Sequence, residues 1–446
     1  TVLREVARGG AVGELALVTG QPRSASVRAR RDSELLEIGA RAFDALLEAH
    51  AATIARHLAD QLRASRALQP PAPPPIPTTI AVAGAGDRWT GALVRELGRF
   101  GTVAVLDEAK AGESPGWAGA LDRAEAGADQ VLLVAGEAGA TGEWVSFCRR
   151  QADRAVELPG PGTSEAGGEE RWEPAVLARR LAGRAVGVVL SGGGARGLAH
   201  IGVLEGLAEA GVTIDRVGGC SMGALVGAQL ALGREPAEIR ERCREELVAR
   251  NPLGDYTVPR VALTRGRRGR AMLDRLLGTA RIEDLPRDFF CVSSDLVAGT
   301  LAVHRDGRLA DAVAASVALP GIVPPVRLGG RVLVDGGVLD NLPVAEMAAT
   351  GEGPVIAVDV TARFDPAARA GIRETLLRTL VLGSSDTAAA AQAHADLVIE
   401  PDVTGIGMLD FARLDELVAR GRDAARRQGE RTAQLTSPPG RPGRPG

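Results

Sequence analysis

Hydrophobic and polar residues alternate with different periods in successive parts of the chain. Residues 1–68 begin with short apolar runs separated by glycines, which predict strands, and end with leucines near helical spacing between Phe43 and Leu62. Residues 69–77 are rich in proline and predict an extended, fairly stiff linker. The first part of the chain is therefore expected to form a small β domain with a C-terminal helix, followed by a spacer.

Residues 78–158 repeat a strand and helix pattern on a small scale, which is typical of a small α/β module. Three apolar runs predict strands, and two amphipathic stretches predict helices. In chain order these are Thr79–Ala83, Trp89–Phe100, Val103–Leu106, Gln130–Val134 and Trp144–Arg154. Residues 159–184 are expected to be a connection, because their first half is rich in glycine and acidic residues.

Gly84 and Gly86 follow the first of these strands, and Asp107 ends the next, as in a dinucleotide-binding turn. However, Trp89 occupies the position of the third glycine in that pattern. A bulky ring there blocks close packing of the helix on the strand, so we interpret the module as structural.

The longest region, residues 185–430, again alternates apolar strands with helices. That order is typical of a largely parallel sheet covered by helices on both faces, which is a three-layer α/β/α domain. Residues 431–446 end in prolines and glycines with two arginines, so we predict a disordered tail.

Composition narrows the classes of function. With 45% hydrophobic and 24% charged residues, the chain fits a soluble globular protein, and a net charge of −3 gives no electrostatic reason to expect nucleic acid as a partner. The four cysteines lack metal-ligand spacing, which predicts no metal site and a reduced, cytoplasmic setting. No apolar run approaches the ~18 residues of a membrane span. Because Thr1 stands where an initiator Met is expected, we expect a fragment.

A serine with the surroundings of a nucleophile lies in the α/β/α region. Gly219–Gly223 has the pattern G-x-S-x-G, with Ser221 at its centre, between an apolar strand and a helix predicted to be buried. Such a turn holds the serine in a strained conformation at a helix N-terminus, where developing negative charge is favoured.

Two further motifs supply what an activated serine needs. The strand at 185–190 is followed by the glycine-rich segment Ser191–Gly197, whose backbone N–H groups suit an oxyanion hole. The strand Arg331–Val334 ends in Asp335, which would deliver a carboxylate as the base.

In this order the three motifs resemble the signatures of patatin-like phospholipases. Ala315–Pro325 and Asp340–Pro343 resemble the bacterial relatives of neuropathy target esterase within that family. The resemblance implies a Ser–Asp dyad of Ser221 and Asp335 that cleaves phospholipid or lysophospholipid esters to a free fatty acid. It implies work at a peripheral membrane surface, and no metal or cofactor is expected. It also implies an oxyanion hole of Gly192, Gly193, Gly194 and Arg196, supported by Gly197, Gly219, Gly223, Gly336 and Gly337.

A second resemblance concerns the N-terminus. Gly10–Leu17 and Pro22–Val27 resemble the phosphate cassette of cyclic-nucleotide-binding domains, of which residues 1–68 would be a partial copy lacking the first strands. The resemblance implies that Glu14 meets the ribose hydroxyl and Arg23 the cyclic phosphate of a bound nucleotide. The alternative is a structural relic whose arginine makes a surface ion pair.

Three alternatives to the dyad enzyme remain open. Gly192–Gly197 with Asp215 also fits a dinucleotide fingerprint, although that reading leaves Ser221 and Asp335 unexplained. His394 follows Asp335 in the chain order of an α/β-hydrolase triad, but it precedes an apolar strand without the glycines of a catalytic loop. A non-catalytic protein that senses a nucleotide and binds lipid is the third alternative.

Other charged residues have weaker signals. Arg265, Arg267, Arg268 and Arg270 form a cluster that could hold lipid phosphate at an anionic bilayer surface, or simply be a solvated loop. Asp295 is a second candidate for the catalytic carboxylate at a strand end, although we expect it to cap the turn or solvate the sheet end.

Overall fold

The computed structural model describes residues 37–39, 42, 76–137, 139–158, 172–258, 261–361 and 394–436. The predicted cyclic-nucleotide cassette, with Glu14 and Arg23, lies outside the described residues, as do most of the predicted linker and the last ten residues. The chain divides into two compact units, one comprising residues up to 87 and 101–158, the other 88–100 and 159–446.

The first unit contains a four-stranded parallel sheet with strand order β2-β3-β1-β4. In chain order, the elements up to residue 158 are β1 (Thr79–Ala83), α1 (Asp87–Leu97), β2 (Val103–Leu106), α2 (Glu108–Ala111), α3 (Trp117–Gly127), β3 (Gln130–Val134), α4 (Glu143–Gln151) and β4 (Arg154–Glu157). Helix α1 belongs to the second unit from Arg88 onward. The core of the first unit is aromatic: Trp117, Trp144 and Phe147 are buried, with ring centroids 5.2–5.6 Å apart.

The second unit is built on an eight-stranded mixed sheet with order β12-β11-β5-β6-β7-β10-β9, in which β8 also pairs with β7. Its strands are β5 (Val186–Leu190), β6 (Ile214–Cys220), β7 (Asp288–Asp295), β8 (Thr300–His304), β9 (Val326–Leu328), β10 (Arg331–Asp335), β11 (Val355–Val358) and β12 (Leu397–Ile399). Strands β12, β11, β5, β6 and β7 are mutually parallel, whereas β8, β9 and β10 are antiparallel to their neighbours.

The helices of this unit cover both faces of the sheet. They are α5 (Pro174–Leu181), α6 (Ala199–Glu209), α7 (Met222–Ala231), α8 (Pro236–Cys243), α9 (Arg267–Leu277), α10 (Leu309–Ser316), α11 (Val344–Ala348), α12 (Leu414–Arg427) and α13 (Gly429–Thr436). Short 3₁₀ or π turns occur at Ser114–Gly116, Gly194–Leu198, Arg244–Ala249, Ile282–Asp284, Gly336–Val338 and Phe411–Arg413.

Side chains of each central strand alternate between two apolar layers, as the two-residue period of a strand requires. Val188 and Leu190 of β5 face a layer formed with α6–α10 and α12, while Val189 faces a layer formed with Leu342 and α11. The sheet is therefore buried on both faces, which confirms the α/β/α class.

Helix α7 lies in the centre of the larger layer. All ten of its residues are buried, so it has no solvent-facing side and cannot be recognised by amphipathic spacing. This helix carries the serine turn at its N-terminus, and its burial fixes that turn in the core.

Two segments differ from the sequence prediction. Helix α5 lies within residues 159–184, which were expected to be only a connection. Helix α13 extends to Thr436, beyond the predicted start of a disordered tail at 431, and the side chain of Thr432 is fully buried. Within the described ranges, no helix is both long enough and apolar enough to cross a bilayer.

Candidate active site

Ser221 occupies a strained turn between β6 and α7, with φ 53° and ψ −121°. In the described part of the chain, it shares a positive φ with one other non-glycine residue, Asn251. A side chain in such a backbone region costs about 1–3 kcal/mol and persists only where its surroundings enforce it. Two glycines allow the turn: a Cβ on Gly219 would lie 2.8 Å from the backbone of Gly223, and one on Gly223 would lie 2.2 Å from the carbonyl oxygen of Leu190.

Asp335 reaches Ser221 across one strand. Cys220 pairs with Val292 on one side of β7, and Asp335 pairs with Ser293 on the other, so the two ends lie at the same level of the sheet. The Ser221 hydroxyl donates to Asp335 Oδ2 at 2.6 Å. The sequence prediction that these two side chains converge agrees with this geometry.

The second carboxylate oxygen is also occupied. Asp335 Oδ1 accepts the N–H of Gly337 at 2.9 Å and lies 3.6 Å from the Cys220 thiol sulfur. Both oxygens therefore have donors, and the carboxyl group is held in one orientation, with Oδ2 towards the serine.

Burial raises the pKa of Asp335 from 3.8 to about 6. The hydrogen bonds from Ser221, Gly337 and Cys220 favour the charged form and oppose only part of this effect. A carboxylate with a raised pKa is a stronger base and is still ionised at neutral pH. This is the property that direct proton transfer from a serine requires.

The glycine segment after β5 contains two backbone N–H groups that have no acceptor among the described residues. The N–H of Gly192 donates to the backbone oxygen of Asn341 at 3.1 Å. By contrast, among the described residues no acceptor is bonded to the N–H of Gly193 or Gly194. Gly194 lines the same cavity as Ser221. Because the donor of Gly192 is already used, the prediction that it serves an oxyanion is corrected, and Gly193 and Gly194 remain as the candidate donors.

Arg196 does not supply its side chain to the oxyanion hole. Its Nε donates to the carbonyl oxygen of Ile406 at 2.7 Å, and its backbone N–H donates to Gly193 at 3.3 Å. The arginine thus ties the glycine turn to the segment after β12, and the prediction that it belongs to the oxyanion hole is corrected to a positioning contact.

The remaining motif glycines are required by close packing. A Cβ on Gly197 would lie 2.5 Å from Met222, and one on Gly336 would lie 2.6 Å from the carbonyl oxygen of Val292. Gly337 provides the donor to Asp335, and a Cβ there would lie 2.9 Å from Asn341 Oδ1. Larger residues at these positions would displace the serine helix or the base.

Two positioning residues were missed by the sequence analysis. Ser316, fully buried at the end of α10, accepts the backbone N–H of Ser221 at 2.9 Å. Asn341 receives the N–H of Gly192 on its carbonyl and donates Nδ2 to the Gly192 oxygen at 3.2 Å. Both residues lie in segments that resemble the neuropathy target esterase relatives, and this resemblance was the one sequence feature that could have pointed to them.

The topology argues against a catalytic role for His394. It precedes the start of β12, whereas Ser221 follows the end of β6, and the two strands are parallel. Opposite ends of parallel strands lie at opposite edges of the sheet, and β12 is three positions from β6, or about 14 Å at ~4.8 Å per strand. The arrangement therefore favours a dyad over a triad.

The alternative roles of Asp215 and Asp295 are also resolved by their contacts. Asp215 pairs with Arg179 and accepts the N–H of Val186. These contacts lie where β5 and β6 begin, whereas Gly192 follows the end of β5. Asp215 therefore does not bind the ribose of a nucleotide held by the glycine segment.

Asp295 caps its own turn by accepting the N–H groups of Val297 and Ala298, as expected. His200 donates Nε2 to the Ser191 carbonyl at 2.8 Å, and burial lowers its pKa to about 4, so it stays neutral and supports the strand end.

A cavity of about 250 Å³ opens onto Ser221. Its wall also includes Gly194 and is otherwise largely apolar, with Leu225, Leu273, Val323 and Phe411 among its side chains. A hydrocarbon chain fits such a lining, since it offers few polar groups that would have to be desolvated. Among the described residues, no group of three or more His, Cys, Asp or Glu side chains is placed to hold a metal ion.

Comparison with known proteins agrees with the motifs. Residues 188–348 match the family described as patatin-like phospholipase, and residues 1–50 match the cyclic nucleotide-binding domain. In the solved structures, VipD from Legionella pneumophila covers 56% of this chain and 67% of its own, with a TM-score of 0.36 and 16% identity.

Two relatives extend the comparison. The lysophospholipase NTE1 of Coccidioides immitis is 35% identical over 276 residues, which are 55% of this chain and 18% of that protein. An uncharacterized NTE family protein of Mycobacterium tuberculosis is 36% identical over 499 aligned positions, covering 95% of this chain and 85% of the relative. The resemblance inferred from the motifs is thereby confirmed, and the chain belongs to the NTE family.

Proposed function

We propose that this chain is a serine lipid acyl hydrolase that cleaves carboxylic esters of phospholipids or lysophospholipids. The observation that carries the proposal is the 2.6 Å contact between the Ser221 hydroxyl and a buried Asp335 carboxylate. The contact lies at a strained turn that opens into an apolar cavity. A structural serine needs neither the strain nor a buried base.

In the proposed first half-reaction, Ser221 Oγ attacks the ester carbonyl carbon while its proton passes to Asp335 Oδ2. The carbonyl oxygen becomes an oxyanion, which the N–H groups of Gly193 and Gly194 stabilise. Losing one such donor typically raises a barrier by ~3–4 kcal/mol. When the carbon–oxygen bond of the ester breaks, Asp335 returns the proton to the departing alcohol and an acyl-serine remains.

The second half-reaction reverses these roles with water. Asp335 accepts a proton from water as its oxygen attacks the acyl carbon, and the same two amides hold the oxyanion. Collapse breaks the bond to Ser221 Oγ, which takes the proton back from Asp335. The products are a free fatty acid and the regenerated enzyme, without metal or cofactor.

The substrate class is supported by the apolar cavity, by the patatin-like phospholipase match and by a relative that is named lysophospholipase. Because such lipids reside in membranes, we infer an enzyme that works at a membrane surface. The four free cysteines support a cytoplasmic setting, and the net charge of −3 gives no electrostatic reason to expect a nucleic-acid partner. The match of residues 1–50 to a cyclic nucleotide-binding domain supports a cyclic nucleotide as a second ligand. Glu14 would contact its ribose and Arg23 its phosphate.

An active-site-directed fluorophosphonate probe tests the proposal. The intact chain should be labelled at Ser221 and should release fatty acid from lysophosphatidylcholine, while Ser221→Ala should do neither. His394→Ala is the matched control and should keep both properties. A folded chain that takes up no label and releases no fatty acid would instead support a non-catalytic lipid-binding protein.

A further inference from the structure

Two hairpin arms beside the cavity, residues 255–258 and 261–265, display apolar side chains to solvent, and we call them the hairpin. Tyr256 and Thr264 form an antiparallel bridge, and the N–H of Arg265 donates to the Asp255 carbonyl at 3.0 Å. Along this hairpin Tyr256, Val258 and Val261 are 69%, 76% and 71% exposed. Of the nine large apolar side chains exposed in the described ranges, four lie between residues 256 and 263, so this is a concentrated patch.

The hairpin is attached firmly to the wall of the cavity. The N–H groups of Leu263 and Thr264 donate to the carbonyl oxygens of Gly321 and Ile322 at 2.9 and 3.1 Å, and the Thr264 hydroxyl also donates to Ile322. Thr264 and Ile322 both line the cavity that contains Ser221. The exposed side chains are therefore held at a fixed position relative to the nucleophile.

Three arginines that have no acidic partner among the described residues follow the hairpin. Arg265, Arg267 and Arg268 are exposed, and none forms an ion pair with a described carboxylate. Their neighbour Arg270 differs, since it pairs with Asp274 and Asp311. The backbone N–H groups of Arg267 and Arg268 donate to Asp255 Oδ2, which fixes the start of α9 and thus the bases of both side chains.

We propose that this hairpin and these arginines dock the catalytic unit on an anionic lipid surface. Apolar side chains flanked by exposed guanidinium groups fit the boundary between acyl chains and phosphates. Tyrosine, of which the chain has one, also suits this boundary. Because Thr264 and Arg265 also line the cavity, docking here brings the cavity to the place where a lipid leaves the bilayer. The inference rests on the proposed function for its substrate, but docking itself requires no catalysis.

Vesicle sedimentation tests the docking surface. The full chain carrying Ser221→Ala, which cannot consume lipid, is mixed with phosphatidylcholine vesicles with or without phosphatidylglycerol. The chain should bind the anionic vesicles preferentially. Two double variants should weaken this binding: Val258→Ser with Val261→Ser, and separately Arg267→Glu with Arg268→Glu. Loss of two arginines near an anionic surface should lower the affinity for the vesicles by at least about 30-fold.

The matched control is Arg123→Glu with Arg150→Glu, which changes the net charge equally at two exposed arginines of the first unit. This variant should bind like its parent. If it loses binding equally, or if both hairpin variants bind like the parent, the proposal is wrong. A chain that binds neither kind of vesicle but dimerises through the hairpin would also contradict the proposed membrane docking.

Two readouts separate this proposal from the proposed function. With Ser221 intact, the hairpin variants should hydrolyse a water-soluble short-chain ester at the parental rate, since neither valine lines the cavity. A chain that binds anionic vesicles but hydrolyses no ester would contradict the enzyme and leave docking standing. A chain that hydrolyses the ester but does not bind anionic vesicles would contradict docking and leave the proposed enzyme activity standing.

An environment-sensitive fluorophore gives independent evidence of insertion. Val258→Cys provides an exposed thiol, whereas all four native cysteines are buried. A fluorophore at position 258 should brighten on anionic vesicles, while one at Ile76→Cys, exposed in the first unit, should not. Equal responses at the two positions would contradict insertion of the hairpin.

Discussion

Replacing the proposed base with its neutral isostere should inactivate the protein and stabilise it. In Asp335→Asn, the side-chain oxygen can still accept the Gly337 N–H and lie near the Cys220 thiol, while the amide nitrogen faces Ser221. The shape and most hydrogen bonds of the site are therefore kept. What disappears is the charge that the interior disfavours and the ability to accept a proton from the serine.

The size of the effect follows from the pKa of Asp335, which burial raises from 3.8 to about 6. Because the folded pKa lies above the unfolded one, the protonated acid is favoured in the fold. The stabilisation it provides is complete below about pH 3.8 and is lost as pH rises through about 6. The difference corresponds to about 3 kcal/mol at ~1.36 kcal/mol per pKa unit.

Urea unfolding of the catalytic unit between pH 4 and pH 8 measures this difference. The free energy of unfolding of Asp335→Asn should exceed that of the parent by an amount that grows with pH, levelling off near 3 kcal/mol above pH 7. Ser221→Ala is the matched inactive control. It keeps the carboxyl and loses a hydrogen bond that lowers the pKa of Asp335, so its stability should stay pH-dependent.

Activity supplies a second measurement of the same ionisation. With Asp335 as the base, kcat/KM of the parent should rise with pH through a single step near 6 and then stay level. If the unfolding free energies of the parent and Asp335→Asn run parallel from pH 4 to pH 8, Asp335 has an ordinary pKa. Direct proton transfer from Ser221 to Asp335 would then be refuted.

Three further substitutions test other parts of the site. Ser316→Ala removes the acceptor of the partly buried Ser221 N–H. The value of kcat should therefore fall by about ten- to hundredfold, corresponding to ~1–3 kcal/mol, with little change in KM for a soluble ester. An unchanged kcat would exclude a positioning role for Ser316. Gly194→Ala places a Cβ 2.2 Å from a carbonyl oxygen. It should cost more stability and activity than Gly278→Ala, because Gly278 shares a positive φ but has open space around it. Equal urea midpoints for the two variants would show that this close contact does not matter. His394→Ala should keep most ester hydrolysis, and complete loss in a folded variant would restore the triad.

The sequence was informative where chemistry depends on contiguous residues. The strained serine turn and the carboxylate at a strand end each combine small residues with a strand-to-turn boundary, so Ser221 and Asp335 could be identified from short segments. Ser316 could not, because its role depends on α10 ending beside β6, and one buried hydroxyl looks like any other in the sequence.

The glycine segment shows the same limit in a different form. Three adjacent glycines offer three equivalent N–H groups in the sequence, and only the folded position of the Asn341 carbonyl removes Gly192 from the set. Arg196 likewise carries a charge that suits an oxyanion, but the Ile406 carbonyl lies within reach of its side chain. Tertiary contacts decide which backbone N–H groups remain free to bind an oxyanion. A local motif can only identify the candidates.

The proposed dyad contains no histidine, so substrate binding and the strength of the base would depend on the same feature. A carboxylate exposed to water has a pKa near 4 and accepts a serine proton poorly, whereas Asp335 gains basicity from its burial. The apolar cavity that would receive an acyl chain also opens onto Ser221, so a bound chain removes further water from the pair. Desolvation disfavours the charged carboxylate, which increases its tendency to accept the serine proton as the oxyanion forms. An apolar substrate would thus strengthen the base that activates the attacking serine, and a polar ester of equal reactivity would lack this advantage.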